Sequence, residues 1–156
     1  MNKEVKIVLT EDDRGHATLI KKNLRRAGIK NEIIHFTNGQ DTLDYFHKED
    51  DDQKRESGTP HLLLLDIKMP GINGLEVLRR LKKDRELQKM PVIMITTTDN
   101  PEEIEKCHKI GCSSYITKPV DYEKFIEAIR QLKHDLRDKD SFKKSGERRI
   151  RNSVGL

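Results

Sequence analysis

The chain has 156 residues, of which 37% are charged and 33% are hydrophobic, and this length favours one domain with a densely charged surface. No apolar run approaches the roughly 18–20 residues that a membrane-spanning helix needs. The short apolar run near the N-terminus ends in acidic residues, which is unlike a secretory signal peptide. We therefore expect a cytoplasmic protein with no membrane partner.

The net charge of +4 is unevenly distributed along the chain. Residues 136–156 hold seven basic and three acidic side chains, whereas residues 1–135 hold 24 of each kind. Apolar periodicity also fades after residue 136. We therefore expect a folded domain over residues 1–136 and a basic C-terminal extension or tail over residues 137–156.

Predicted strands and helices alternate along the folded part. The predicted strands lie at residues 5–9, 32–36, 62–65, 92–95 and 114–117. The predicted helices lie at residues 15–27, 40–47, 73–83, 101–111 and 122–136. Gly28 follows the first helix where a C-cap belongs, and Asp121 is a good N-cap for the last helix. The stretch 48–60 lacks apolar residues and predicts an exposed loop.

Four consecutive leucines at residues 62–65 predict a central strand that is buried on both faces. Such strands occur where helices cover both faces of a parallel sheet. Five alternating strand–helix units therefore predict an α/β fold, a (βα)5 doubly wound parallel five-stranded sheet.

The two cysteines, Cys107 and Cys112, do not suggest a disulfide framework in a chain without a secretion signal. A metal site built on Cys107, His108 and Cys112 would lack standard zinc spacing and further nearby ligands. We expect both thiols to pack as small buried apolar groups.

Polar residues follow four of the five strands at the points where the strands end. They are Glu11, Asp12 and Asp13 after the first strand, Asp66 after the third, Thr96 at the end of the fourth, and Lys118–Pro119 after the fifth. Ligands of open parallel sheets bind outside the carboxyl ends of the strands. These side chains are therefore expected to converge at one edge of the sheet.

The residue types indicate phosphoryl chemistry at that edge. Carboxylates from two strands form a hard oxygen site that suits Mg²⁺, which binds through one or two carboxylates plus a phosphate. Asp66 could attack a phosphoryl group and form an acyl phosphate. Lys118 would contribute a positive charge and Thr96 a hydroxyl donor toward the transferring group.

These residues resemble the marks of CheY-like response-regulator receiver domains. The stretch from Asp66 to Glu76, DIKMPGINGLE, is similar to the phosphorylation-site signature of that family. The pair Glu11–Asp12, Thr96 and Lys118–Pro119 match the other three marks in order and spacing. The resemblance covers about residues 4–136 and implies the flavodoxin-like strand order 2-1-3-4-5, an order for which such domains are a standard example.

The resemblance also implies a function in two-component phosphorelay signalling. A histidine kinase would phosphorylate Asp66, and the chain would be no enzyme beyond its own aspartyl phosphorylation and dephosphorylation. Asp12 would bind Mg²⁺ directly and Glu11 through water, with Asp66 and the main-chain carbonyl of Lys68 completing the protein ligands.

Further roles follow from the same resemblance. Lys118 would pair with the phosphate, and the Lys118–Pro119 bond is expected to be cis, a form found almost only before proline. Thr96 would hydrogen-bond the phosphoryl group. Tyr115 matches the family's aromatic switch position, which turns inward when Thr96 moves.

Two residues near the site stand apart from the matched marks. Asp13 is an additional acid with no assigned role. Lys68 follows Asp66 by two residues, so on an extended chain its side chain would face the same side as the Asp66 side chain. We hypothesise that this cation steadies the phosphoryl group and changes its lifetime.

Within the family, the chain resembles the small single-domain regulators of phytochrome-type histidine kinases. The resemblance rests on the Glu11–Asp12 pair, the long loop at 48–60 and the stretch from Thr96 to Tyr122. It implies a phytochrome-like kinase as a partner, together with an output protein that the sequence does not name. The basic tail could support a homodimer or dock an acidic partner.

Three alternatives to a phosphorylated switch remain open from the sequence. A Mg²⁺-dependent aspartyl-nucleophile phosphohydrolase would need a carboxylate at position 68, which is Lys. A specific nucleic-acid partner is disfavoured because the tail of about 20 residues is too short for a helix-turn-helix domain. An inactive receiver used as a scaffold would not require the complete set of site residues.

Overall fold

A computed structural model describes residues 4–47 and 59–136 and confirms the predicted alternation of strands and helices. The strands are β1 (Lys6–Thr10), β2 (Ile33–Phe36), β3 (His61–Leu65), β4 (Val92–Thr96) and β5 (Ser114–Thr117). The helices are α1 (Arg14–Arg26), α2 (Gly39–His47), α3 (Gly74–Lys82), α4 (Pro101–Ile110) and α5 (Tyr122–Leu136). The predicted bounds agree with these to within one or two residues.

All five strands are parallel and lie in the order β2-β1-β3-β4-β5, which confirms the flavodoxin-like α/β fold. Strand β1 pairs on one side with β2 and on the other with β3, so that Val8 lies beside both Ile34 and Leu63. Strand β2 is added on one side of β1, and β3, β4 and β5 are then added in turn on its other side. Ligand crevices of doubly wound sheets open where the strand order reverses, outside the carboxyl ends of β1 and β3.

The leucines of β3 divide the core into two layers. Leu62 and Leu64 pack with the apolar faces of α1 and α5, whereas Leu63 and Leu65 pack with residues of α2, α3 and α4. All four side chains are fully buried. Alternate side chains of a strand point to opposite faces, and burying each leucine stabilises the fold by roughly 1.5–3 kcal/mol. The apolar run is therefore explained by helices on both faces.

Helix termini are defined by residues that the sequence marks. Ala27 is the C-cap of helix α1, and Gly28 follows with φ of 80°, a left-handed conformation that favours glycine. Helix α4 starts with Pro101 directly after the cap residue Asn100. The Asp121 side chain accepts a hydrogen bond from the Glu123 main-chain nitrogen at 2.9 Å, as expected of an N-cap for α5.

The two cysteines pack as predicted. Both are buried in the layer between the sheet and helices α2, α3 and α4. Burial raises the pKa of the Cys107 thiol to about 11 and that of Cys112 to about 12. Both thiols therefore stay protonated near neutral pH, which fits packing groups rather than metal ligands.

Some sequence predictions fall on residues that the structure does not describe. Only Thr59 and Pro60 of the predicted loop at 48–60 lie among the described residues, and the predicted extension at 137–156 lies wholly outside them. Within residues 4–47 and 59–136, no helix is both long enough and apolar enough to cross a membrane.

Candidate functional site

Three carboxylates meet at the carboxyl ends of β1 and β3. Oxygen atoms of Glu11, Asp12 and Asp66 lie within 4.8 Å of one another. Glu11 and Asp66 are buried, with 1% and 5% of their surface exposed, whereas Asp12 is exposed. Two of the acids therefore line the floor of the site and the third lies at its mouth.

Burial dominates the electrostatics of Glu11. It raises the pKa of this carboxyl from 4.5 to about 7, an effect that a hydrogen bond from Lys118 opposes and that neighbouring Asp66 reinforces. Ionised Glu11 and Asp66 repel one another in a site with little access to water. A bound cation would relieve this repulsion.

Lys118 reaches into the acid cluster from the loop after β5. Its ammonium donates hydrogen bonds to Glu11 and to Asp66 Oδ2, the latter at 3.3 Å, and only 7% of its side chain is exposed. Its main-chain nitrogen donates to the Thr96 carbonyl at 2.7 Å. The Lys118–Pro119 peptide bond is cis, as predicted. The lysine is thus held at the phosphoacceptor candidate by its side chain and at β4 by its backbone.

Thr96 ends β4, the strand beside β3, and is fully buried. Its hydroxyl has no hydrogen-bond partner among the described residues 4–47 and 59–136. Buried hydroxyls normally have a partner. An acceptor oxygen arriving at this edge of the sheet would satisfy the Thr96 donor.

Tyr115 on β5 is half-buried and packs against the core layer of α2, α3 and α4. Its hydroxyl donates to the main-chain carbonyl of Thr98 at 2.8 Å. Thr98 lies two residues after Thr96, in the loop between β4 and α4. The tyrosine is therefore tied to the same loop that carries the threonine of the site.

The backbone after Asp66 is held close to α3. A Cβ atom placed on Gly74 would lie 2.2 Å from the main-chain oxygen of Asp66, so only glycine fits without a shift of the backbone. The Gly74 nitrogen donates to the Ile67 carbonyl at 2.8 Å. The Lys68 nitrogen lies 3.3 Å from Asp66 Oδ1, and the Lys68 side chain is exposed.

The structural roles of three residues near the site were not predicted from the sequence. Asp13 is the N-cap of α1, where its side chain accepts from the His16 nitrogen at 2.9 Å. His16 Nδ1 lies 2.9 Å from the Lys118 ammonium. His35 Nε2 donates to the Glu11 main-chain carbonyl at 2.8 Å. The position of Asp13 before a helical period was a signal for a cap, but no sequence pattern marks either histidine.

The donor set fits a hard divalent cation. Carboxylate oxygens are the ligands that Mg²⁺ prefers, and two of the three acids here are buried together with only one ammonium to balance them. In the part of the chain that the structure describes, this is the one cluster of three acidic, His or Cys groups placed to share an ion. Glu11, Asp12 and Asp66 could therefore hold Mg²⁺.

The chain is thus a doubly wound α/β domain with an aspartate, a lysine and an acid pair at the carboxyl edge of its parallel sheet. The family model for the response regulator receiver domain matches residues 7–130. The chain therefore belongs to the receiver domains of two-component response regulators, as its resemblance to CheY-like domains implied.

Individual relatives agree with this family. The polar-differentiation response regulator DivK of Brucella anthropi is 34% identical over 129 residues, which are 83% of this chain and 96% of DivK. A response regulator receiver domain from Rhodospirillum rubrum is 46% identical, with a TM-score of 0.70 over 81% of this chain and 89% of that chain. The bacteriophytochrome response regulator RtBRR is 37% identical, with a TM-score of 0.73 over 85% of this chain and 78% of that chain.

Proposed function

We propose that this receiver domain accepts a phosphoryl group on Asp66 from a histidine kinase and thereby switches a protein-interaction surface. The observation that carries the proposal is the placement of the Lys118 ammonium 3.3 Å from Asp66 Oδ2, inside a cluster of three carboxylates. A carboxylate nucleophile next to a cation and an acidic metal site meets the requirements of phosphoryl transfer.

In the proposed reaction, an Asp66 oxygen forms a bond to phosphorus while the bond from phosphorus to the donor breaks. For a phosphohistidine donor, the imidazole nitrogen leaves with the electron pair. Lys118 pairs with the phosphoryl oxygens, and the Thr96 hydroxyl donates to one of them. Because Thr96 is buried and its hydroxyl is without a partner among the described residues, a phosphoryl oxygen would supply the acceptor for this donor.

Mg²⁺ would be held by Asp12 directly, by Glu11 through water, by Asp66 and by the main-chain carbonyl of Lys68. The ion would offset negative charge on the transferring phosphoryl group. The buried pair Glu11 and Asp66 supports this assignment, since their mutual repulsion favours a bound cation.

The output step would run through Tyr115. If Thr96 moves toward the phosphoryl group, the loop containing Thr98 moves with it, and the hydrogen bond from the Tyr115 hydroxyl must change. Tyr115 would then turn further inward and alter the surface of α4, β5 and α5. Phosphorylation would thus shift a two-state equilibrium that a partner protein detects.

The partners would be a sensor histidine kinase and an output protein. A phytochrome-like kinase is the specific proposal, supported by the similarity to the bacteriophytochrome response regulator RtBRR. The basic extension at 137–156 would support a homodimer or dock an acidic partner. Apart from its own phosphorylation and dephosphorylation, the chain would catalyse no reaction.

Intact mass after incubation with acetyl phosphate and Mg²⁺ tests the chemistry. The wild type should gain one phosphoryl group, EDTA should abolish the gain, and Asp66→Asn should gain none. Asp99→Asn is the matched control, because Asp99 is an exposed aspartate at the same edge of the sheet. A folded wild type that stays unmodified would refute the proposal and favour a scaffold role, and a modified Asp66→Asn would refute the assignment of the phosphoacceptor.

A further inference from the structure

His16 lies in the first turn of α1, at the mouth of the site. The Asp13 cap holds the main-chain nitrogen of His16 at 2.9 Å, and the imidazole is turned toward the end of β5. Its Nδ1 atom lies 2.9 Å from the ammonium of Lys118, which is 102 residues away in the chain. The imidazole is partly exposed, with 46% of its surface accessible.

The hydrogen bonds of the Lys118 ammonium account for all three of its donors. Glu11, Asp66 and His16 each provide one acceptor atom. A lysine ammonium has three donors and no acceptor, so Nδ1 of His16 must accept here.

We infer that His16 is a positioning residue for Lys118 in the phosphorylation reaction, an inference that rests on the function proposed above. Of the three acceptors around the ammonium, Glu11 and Asp66 are also the proposed metal ligands. An ion held by the acid cluster would draw on the oxygens of Glu11 and Asp66, whereas His16 is the one of the three acceptors that is not a proposed metal ligand. His16 therefore keeps the ammonium at the phosphoacceptor while the donor arrives.

Two substitutions distinguish a hydrogen-bonding role of His16 from a general structural one. Asn places its Oδ1 acceptor at the same distance from Cα as Nδ1 of His, whereas Leu has a similar size and no acceptor. His16→Asn should therefore preserve the positioning, and His16→Leu should remove it while leaving the helix intact, because leucine is a strong helix former. His108→Leu, an exposed histidine on α4, is the control for loss of an imidazole elsewhere.

The first measurement uses the full chain without Mg²⁺ or a phosphoryl donor, so it is independent of the proposed function. NMR reports how fast the hydrogens of the Lys118 ammonium exchange with water, with Lys118→Arg to assign the signal. We expect exchange about three- to tenfold faster in His16→Leu, because one hydrogen loses its acceptor. Exchange in His16→Asn and His108→Leu should match the wild type. Equal exchange in wild type and His16→Leu would overturn the inference.

The second measurement is the rate of phosphorylation by acetyl phosphate at saturating Mg²⁺. His16→Leu should react about three- to tenfold more slowly, and His16→Asn should restore the rate to within about twofold. A His16→Leu rate equal to wild type, or no rescue by His16→Asn, would overturn the positioning role. If the wild type itself is not phosphorylated, the proposed function fails and the positioning role fails with it. The exchange measurement then still decides whether His16 holds Lys118.

Discussion

Replacing Glu11 with glutamine tests the electrostatics on which the metal assignment depends. Glu11 is 1% exposed, and burial raises its pKa from 4.5 to about 7 despite the hydrogen bond from Lys118. Above neutral pH and without a cation, the folded protein must therefore hold an ionised carboxylate in a buried site. Glutamine has the same shape and carries no charge.

The sign of the effect follows from the two pKa values. Between pH 4.5 and about 7 the unfolded chain releases the Glu11 proton before the folded chain does. The stability contributed by protonated Glu11 is fully present below pH 4.5 and is lost as pH rises through about 7. The full shift corresponds to at most about 3 kcal/mol. We expect the free energy of unfolding of Glu11→Gln to exceed that of wild type by about 1–3 kcal/mol at pH 8. Near pH 4.5 the two proteins should have similar free energies of unfolding.

Urea unfolding in EDTA from pH 4.5 to pH 8.5 measures this difference. Glu105→Gln is the matched control, because the Glu105 side chain is 67% exposed and pairs with Lys109 in the next turn of α4. Its effect should stay within a few tenths of a kcal/mol at every pH. Subtracting wild type from each variant cancels the titration of the acids that do not interact with the substituted residue.

Adding Mg²⁺ should reduce the stability difference between Glu11→Gln and wild type. At a free Mg²⁺ concentration 100 times Kd, the wild type gains about 2.7 kcal/mol, and Glu11→Gln gains less because it has lost a carboxylate from the acid cluster. A wild type that is no more stable with Mg²⁺ would refute the metal site. A Glu11→Gln variant that is destabilised at pH 8 in EDTA would show that the Lys118 contact outweighs the effect of burial.

Two further predictions concern the segment after Asp66. Gly74→Ala should lower the free energy of unfolding by about 1–3 kcal/mol, because the added Cβ would lie 2.2 Å from the Asp66 main-chain oxygen. In urea unfolding, Gly15→Ala on the first turn of α1 should have a smaller effect, because its added Cβ would lie 3.2 Å from the flexible Asp13 side chain rather than against backbone. Equal effects of the two variants would contradict this. Lys68→Ala should change the rate at which phosphorylated protein loses its phosphoryl group, because the exposed Lys68 cation lies two residues from the proposed phosphoacceptor Asp66. Intact mass over time measures this rate, and an unchanged rate would rule out the role.

The strands, the helices and the edge of the sheet that carries the site were predictable from the sequence alone. The four leucines at 62–65 predicted a strand buried on both faces, because only helices on both sides of a parallel sheet can bury every residue of a strand. The residues at the carboxyl ends of the strands then had to share one edge, since all strands run in the same direction. The family resemblance, rather than periodicity, supplied the strand order and the cis bond at Lys118–Pro119.

Only the tertiary structure decided which side chains touch at that edge. The Lys118 ammonium is 107 residues from Glu11 and 52 from Asp66 in the chain, and its contact with His16 has no counterpart in any local pattern. Local propensity specifies where a strand ends, but the position of a side-chain atom depends on how helices and loops from distant parts of the chain pack. The sequence therefore determined the residue types present at the site, and packing determined the hydrogen bonds, burial and charge that give them their chemistry.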